Sequence, residues 1–234
     1  MPLPQSLLTG LLDIIFPRNC ILCRGYHPLT AHDPLCPDCY KKLPWNKTPL
    51  SLRSTPSIHF DRSLAILHYK GHAQTLLKQF KFHNKTSIRR TISRLFRDFI
   101  KLHSLDIGTH ALIIPMPLHP TRLRERGYNQ STLIAQGIAD TLNMPLCEDI
   151  LERHRATAHQ SQLHAKDRWT NVGHAFRILP LADIVGREIL LIDDILTTGA
   201  TASEAAKTLK EAGASRVTVI TLAITACGSC TTTS

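Results

Sequence analysis

The chain has 234 residues, enough for one α/β domain of ordinary size with a small module beside it. Hydrophobic residues make up 43%, which allows a sizeable core, while the lack of any run of about 18 apolar residues excludes a membrane-spanning helix. A net charge of +10 and a sequence pI near 9.5 favour polyanionic partners and say nothing of the fold.

Residues 1–17, MPLPQSLLTGLLDIIFP, are apolar but carry no basic leader and no small-residue cleavage site, and Asp13 interrupts them. The expectation is an amphipathic lead helix and not a signal peptide. Seven cysteines is an odd number, and no export signal accompanies them, so a reducing cytoplasm with thiolate–metal chemistry fits better than disulfides.

Four of those cysteines, Cys20, Cys23, Cys36 and Cys39, form the pattern C-x2-C-x12-C-x2-C. Each pair can grip a metal ion from one tight knuckle, and two knuckles complete a tetrahedral thiolate site for structural zinc. The reading without metal is four free or redox-active thiols. A module this small has too little core of its own, so metal binding would supply its folding energy. It is expected to be a zinc ribbon which, with the lead helix, spans 1–45.

Residues 46–60, NKTPLSLRSTPSIHF, are rich in Pro, Ser and Thr and read as a linker, leaving 61–234 as the main domain. A short strand is expected over 62–70. Helical spacing of Leu76, Leu77 and Phe80, then of Ile88, Ile92, Leu95, Phe96 and Phe99, gives two helices with a break at His83-Asn84. Lys78, Lys81, Lys85, Arg89, Arg90 and Arg94 decorate this region, either as a solvated face or as one turned to a polyanion.

Ala111–Pro117 reads as a buried strand. It leads into LHPTRLRERGYNQ, taken as a loop in which Arg122, Arg124 and Arg126 alternate; guanidinium groups suit the oxygens of a pyrophosphate. Tyr128–Leu142 is an amphipathic helix. Residues 151–176 are polar, basic and weakly periodic, and so long a loop in a compact domain is usually a flap or a binding loop. Arg153 and Arg155 stand at its start. Lys166 and Arg168 are its best candidates for meeting a pyrophosphate or a nucleic-acid backbone.

Ile189–Thr201, ILLIDDILTTGAT, carries the most information. Four apolar residues make a buried strand, with Asp193 and Asp194 at its C-terminal end. A turn follows, Thr197-Thr198-Gly199-Ala200-Thr201, and then apolar residues of helical period from Ala202 to Ala212. Such a turn offers hydroxyls, backbone N–H groups and a helix N-terminus to a phosphate, and Gly199 lets the backbone come close. Neighbouring carboxylates suit two adjacent sugar hydroxyls or a metal ion. The combination describes a ribose 5-phosphate site. An ordinary strand-to-helix turn would explain one Asp and one Thr, but not both pairs and the glycine. A Walker A loop is excluded because no Gly-Lys-Ser/Thr is present. Gly213 ends the helix, Arg216–Ile224 is a final strand, and the tail with Cys227 and Cys230 is expected to be disordered.

The 189–201 stretch resembles the phosphoribosyl pyrophosphate (PRPP) signature of type I phosphoribosyltransferases. Paired cysteine knuckles, PMPLHPTRLRERGYNQ, RATAHQSQLHAKDRWTNVGHAF and LLIDDILTTGAT, in that order, resemble the ComF family of competence proteins over nearly the whole chain. The fold this implies is α/β: a parallel-sheet type I phosphoribosyltransferase-like domain preceded by a four-cysteine zinc-ribbon module. The function it implies is handling of incoming single-stranded DNA in the cytoplasm during natural transformation, with other competence proteins such as a DNA helicase as partners.

On this resemblance Asp193 and Asp194 hold the ribose hydroxyls of PRPP or of another ribose 5-phosphate compound, directly or through Mg2+. Thr197, Thr198, Gly199, Ala200 and Thr201 cradle the 5-phosphate, and Arg122, Arg124 or Arg126 meets the pyrophosphate. Arg124, Arg126, Arg153, Arg155, Lys166 and Arg168 are the nucleic-acid candidates. Were transfer catalysed, Asp193 and Asp194 would be the catalytic pair, with leaving-group stabilisation and positioning carrying most of the acceleration. Two readings stay open: a DNA-binding protein on a transferase fold, and a PRPP-dependent transferase of unknown acceptor.

Overall fold

The computed structural model describes residues 19–26, 34–48, 50–51, 58–80, 85–105, 107, 111–155, 173–180 and 183–225. The expected lead helix, the His83-Asn84 break, Lys166, Arg168 and the tail cysteines lie outside these residues.

Strands β1 (Leu50–Ser51), β2 (Arg62–His68), β3 (Leu112–Pro115), β6 (Glu188–Leu196) and β7 (Arg216–Ile224) form one sheet in the order β1-β2-β7-β6-β3. β1 is antiparallel to β2, and every other pairing is parallel. A second, two-stranded antiparallel sheet joins β4 (Leu151–Arg153) to β5 (Phe176–Ile178). The parallel strands are apolar on both faces, as strands sandwiched between helix layers must be. Ile189 and Leu191 of β6 face one layer, with Ala202, Ala205 and Leu209 of helix α6 (Ala200–Glu211). Leu190 and Ile192 face the other, built from α2 (His72–Gln79), α3 (Lys85–His103) and α5 (Gln130–Leu142). This period of two sets the three-layer α/β architecture.

The cysteine module, with its short helix α1 (Pro37–Lys41), is built into that second layer. Leu35, Tyr40 and Leu43 share a core with Phe96 and Phe99 of α3. The Tyr40 hydroxyl donates to Asp98 Oδ2 at 2.6 Å, and the Arg94 guanidinium lies 3.8 Å from the centre of the Tyr40 ring. Within 46–60, expected as a linker, the described residues are stitched to the sheet. Buried Asn46 is bonded to the strand beside it: its N–H donates to Ile66 O at 3.0 Å and its Nδ2 to Ala65 O at 3.0 Å, and β1 pairs with β2. The composition of this stretch suits loops, yet backbone groups beside a buried strand must be satisfied locally.

Three further expectations are corrected. Residues 120–126 are not a loop but helix α4 (Pro120–Arg126). The His119 side chain caps it by accepting from Thr121 N, Pro120 opens it, and Gly127 closes it at φ 72°. The helix expected from Tyr128 begins at Gln130, because Asn129 Oδ1 accepts from Ser131 N at 3.1 Å and is the N-cap. β6 does not end before the acidic pair: it keeps register with β7 from Glu188–Arg216 to Leu196–Ile224, so Asp193 and Asp194 are strand residues.

α3 and α5 cross at Gly137. A Cβ there would lie 2.9 Å from both Arg89 O and Ile92 Cγ2, so only glycine lets the helices approach this closely. Gly137→Ala is expected to destabilise the chain by about 1–3 kcal/mol through overpacking. Urea denaturation should show a lower midpoint with an unchanged slope; an unchanged midpoint would contradict the close approach.

Candidate functional site

The C-terminal ends of β3 and β6 open on a cavity of about 290 Å3. In a parallel sheet this edge is where ligands bind. β6 brings Asp193 and Asp194 to it; the turn into α6 brings Thr197, Gly199 and Thr201; α4 brings Arg122 and Arg126; β4 brings Arg153; and the start of α5 brings Ser131.

The carboxylates are held by short bonds. Asp193 Oδ1 accepts from Ser131 Oγ at 2.9 Å and from Asp194 N at 2.8 Å, while Asp194 Oδ1 accepts from Ile195 N at 2.7 Å. Burial, and then the adjacent Asp194 charge, push Asp193 up to about 7, against the opposing pull of its N–H and hydroxyl donors and of Arg153. Burial also raises Asp194, with the Ile195 N–H and the Arg126 charge working the other way. Burial pulls the Arg153 guanidinium down from its ordinary value; neighbouring Arg122 adds to this and Asp193 opposes it. The cavity thus pairs an acidic floor with three guanidinium groups. That polarity suits a ligand carrying both hydroxyls or a metal ion and anionic groups.

The turn is shaped for close approach. Gly199 has φ 83°, a left-handed conformation that a Cβ disfavours, and α6 starts at the next residue. Thr198 does not line the cavity; its Oγ1 accepts from Ala200 N at 3.4 Å and pins the turn. Ala200 is itself buried under the first turn.

Among the described arginine candidates, Arg124 and Arg155 are the ones that the cavity lacks. On helix α4, residues four apart share a face and the residue between them does not, so Arg122 and Arg126 line the cavity and Arg124 is turned away. Arg155 is exposed and donates to Gly173 O at 3.1 Å. Conversely, Arg153, read from the sequence as a nucleic-acid residue, is among the cavity's guanidiniums. Sequence reading missed Ser131 and Asn129. Asn129 Nδ2 also donates to Met116 O at 3.0 Å, tying the α5 cap to the end of β3. The signal was the run Gly127-Tyr128-Asn129-Gln130-Ser131, a helix stop followed at once by a new cap.

The four cysteine sulfurs lie within 4.8 Å of one another. Cys23 Sγ and Cys36 Sγ are 3.8 Å apart, close to the edge of about 3.8 Å that a tetrahedron of Zn–S bonds of about 2.3 Å requires. Backbone N–H groups of Gly25, Cys36 and Cys39 point at the sulfurs of Cys23, Cys20 and Cys36 at 3.3–3.4 Å, the second shell that thiolates need. At Cys20 burial opposes ionisation, but the backbone donors outweigh it and bring the thiol down to about 7. Burial, reinforced by the neighbouring sulfurs, pushes Cys39 up. The cluster fits structural zinc. With seven cysteines in the chain and four here, a second four-cysteine site cannot be assembled.

The family described as "Double zinc ribbon domain" matches residues 11–51, and "Phosphoribosyl transferase domain" matches 129–231. "Competence protein F" of Haemophilus influenzae is 34% identical over 209 residues, covering 86% of this chain and 90% of that protein. "DNA utilization protein YhgH" of Escherichia coli O157:H7 is 32% identical over 222 residues, covering 87% and 95%. A hypoxanthine phosphoribosyltransferase from Staphylococcus aureus overlaps at a TM-score of 0.38 with 17% identity, over 60% of this chain and 65% of that one, too loosely to add to the sheet topology. A parallel-sheet phosphoribosyltransferase-like domain behind a four-cysteine module, with 34% identity along most of both lengths, places the chain in the ComF family of competence proteins.

Proposed function

We propose that this chain handles single-stranded DNA in the cytoplasm during DNA uptake, and that its 193–201 cavity binds PRPP or another ribose 5-phosphate compound with Mg2+. The observation that supports the ligand is the meeting of two oriented carboxylates, a glycine turn at a helix N-terminus and three guanidiniums around about 290 Å3. Asp193 and Asp194 take the ribose hydroxyls or Mg2+, an ion that prefers carboxylate oxygens beside phosphates. Thr197, Gly199 and Thr201 take the 5-phosphate, with Thr198 pinning the turn through Ala200 N. Arg122 and Arg126, joined by Arg153, take the pyrophosphate. The relatives' names, competence protein and DNA utilization protein, support the role in DNA, as does the charge of +10. Exposed Arg155, with Lys166 and Arg168 beyond the described residues, are the further candidates for contact with a strand. Among the described residues no helix is long and apolar enough to cross a membrane.

A second reading, a PRPP-dependent transferase, is favoured by one feature. A cavity of about 820 Å3 adjoins the first and shares Pro117, Leu118 and Asn129 with it, space that an acceptor could occupy. Incubation with Mg2+ and PRPP, with and without single-stranded DNA, separates the two. Binding without pyrophosphate release supports the DNA-handling protein; steady release that an acceptor stimulates supports the transferase; absence of PRPP binding defeats the ligand assignment.

A further inference from the structure

Helix α3 runs for 19 residues, Lys85–His103, and its two sides differ sharply. Ile88, Ile92, Leu95, Phe96 and Phe99 are buried against the sheet. At about 100° per residue, Arg90, Arg94, Arg97 and Lys101 fall within an arc of about 60° on the opposite side. Arg90, Arg97 and Lys101 are exposed, and Arg94 is half-buried where it stacks on Tyr40. No acidic residue falls in that arc. The acid nearest to it, Asp98, is turned toward the cysteine module and accepts from the Tyr40 hydroxyl at 2.6 Å. Arg89 is not part of the row either: it lies toward α5 and pairs with Asp140 at 3.0 Å.

The row has a natural continuation. Lys41 and Lys42 follow Tyr40 directly on the cysteine module, and both are exposed. The Arg94–Tyr40 stack and the Tyr40–Asp98 bond fix the module against the row. Four cations recurring at about one helical turn of 5.4 Å span about 16 Å of axis. Such a row presents charges in the linear order of phosphates along a strand, without an aromatic platform for bases. Tyr40 is only 8% exposed and already covered, so contact falls on the backbone and carries no sequence preference.

We infer that Arg90, Arg94, Arg97 and Lys101 of α3, continued by Lys41 and Lys42, form a phosphate track for single-stranded DNA, separate from the PRPP cavity. The inference rests on the proposed DNA role and gives it a surface. The cysteine module thereby contributes to DNA contact as well as to folding.

The test uses the full, zinc-loaded chain and a labelled oligothymidine, followed by fluorescence anisotropy between about 50 and 200 mM salt, where such contacts weaken. The variant R90Q/R97Q/K101Q removes three exposed charges, and K70Q/K78Q/R216Q removes three exposed charges elsewhere. At about 0.7 per phosphate, the track variant is expected to lower the log–log salt slope by about 2, whereas the control keeps the wild-type slope. Mg2+–PRPP binding should be the same in both variants, and R97E alone should weaken DNA binding severalfold. Melting curves and zinc content establish that each variant is folded. A wild-type slope in the track variant overturns the inference and leaves the DNA role standing. Equal losses in both variants overturn it in favour of net charge. Loss of binding to phosphatidylglycerol vesicles, with oligothymidine binding intact, makes the row a membrane face and overturns it too. A wild-type protein that binds no oligothymidine at about 50 mM salt removes the DNA role and the track together.

Discussion

Cys36→Ser is expected to take the metal content from one zinc per chain to none and to lower the melting temperature by about 10 °C or more, given that about 1 kcal/mol moves the midpoint of a chain of this size by about 2–4 °C. Cys36 is 2% exposed, its Sγ lies 3.8 Å from that of Cys23, and it accepts from Cys39 N at 3.3 Å. A serine hydroxyl there neither ionises nor binds zinc as a thiolate does. Structural zinc sites contribute apparent binding energies of about 10–16 kcal/mol in small peptides, and where the module has no other core that energy is folding energy.

The loss would not stay within the module. Leu35, Tyr40 and Leu43 pack on Phe96 and Phe99, so a frayed module uncovers the flank of α3 and frees Arg94 and Asp98 from Tyr40. Metal analysis with calorimetric melting is the measurement, and Cys147→Ser is the control. Cys147 lies outside the cluster, burial and then Asp149 push its thiol up, and its replacement should keep the zinc. Wild-type melting and a full complement of zinc in Cys36→Ser would exclude the four-cysteine site.

What the sequence disclosed and what it withheld follow from the range of the interactions. The β6–turn–α6 unit was legible because its parts are contiguous: a four-residue apolar run, two acids, a glycine turn and a helical period lie within one short stretch. The cysteine knuckles were legible for the same reason. The Arg122/Arg124/Arg126 segment was misread because Pro and Gly at its ends look like loop residues, when they are the helix start and stop that His119 and Gly127 complete. The strand limit at Ile192 was misread because charge normally ends a buried strand; here β7 continues the pairing to Leu196, and Ser131 and Arg153 compensate the charge from distant positions. Those two partners are 62 and 40 residues away along the chain, and no local pattern in the sequence announces them.

Asp193→Asn/Asp194→Asn is expected to abolish measurable binding of Mg2+–PRPP and at the same time to stabilise the ligand-free protein above neutral pH. Each charged hydrogen bond lost to the ligand removes roughly 1.5–3 kcal/mol, about one to two orders of magnitude in affinity. The stability effect follows from proton linkage. Asp193 is raised from 3.8 to about 7 by burial and by Asp194, so between those values the native state holds a proton that the unfolded chain has released. Stability therefore declines as pH rises from about 4 to about 7, and the decline is complete above the folded value. Asparagine carries no such charge. The variant should melt above wild type at pH 8, and the difference should shrink toward pH 4. Such an exchange of stability for function is what a binding site built from repelling carboxylates entails. Calorimetric titration with Mg2+–PRPP at pH 8, together with melting curves from pH 4 to pH 8, measures both arms. Equal affinity in the two proteins would remove the cavity from ligand binding. A variant that is less stable than wild type at pH 8 would mean that the cavity tolerates two charges without strain, with Ser131, Arg126 and Arg153 already compensating them in full.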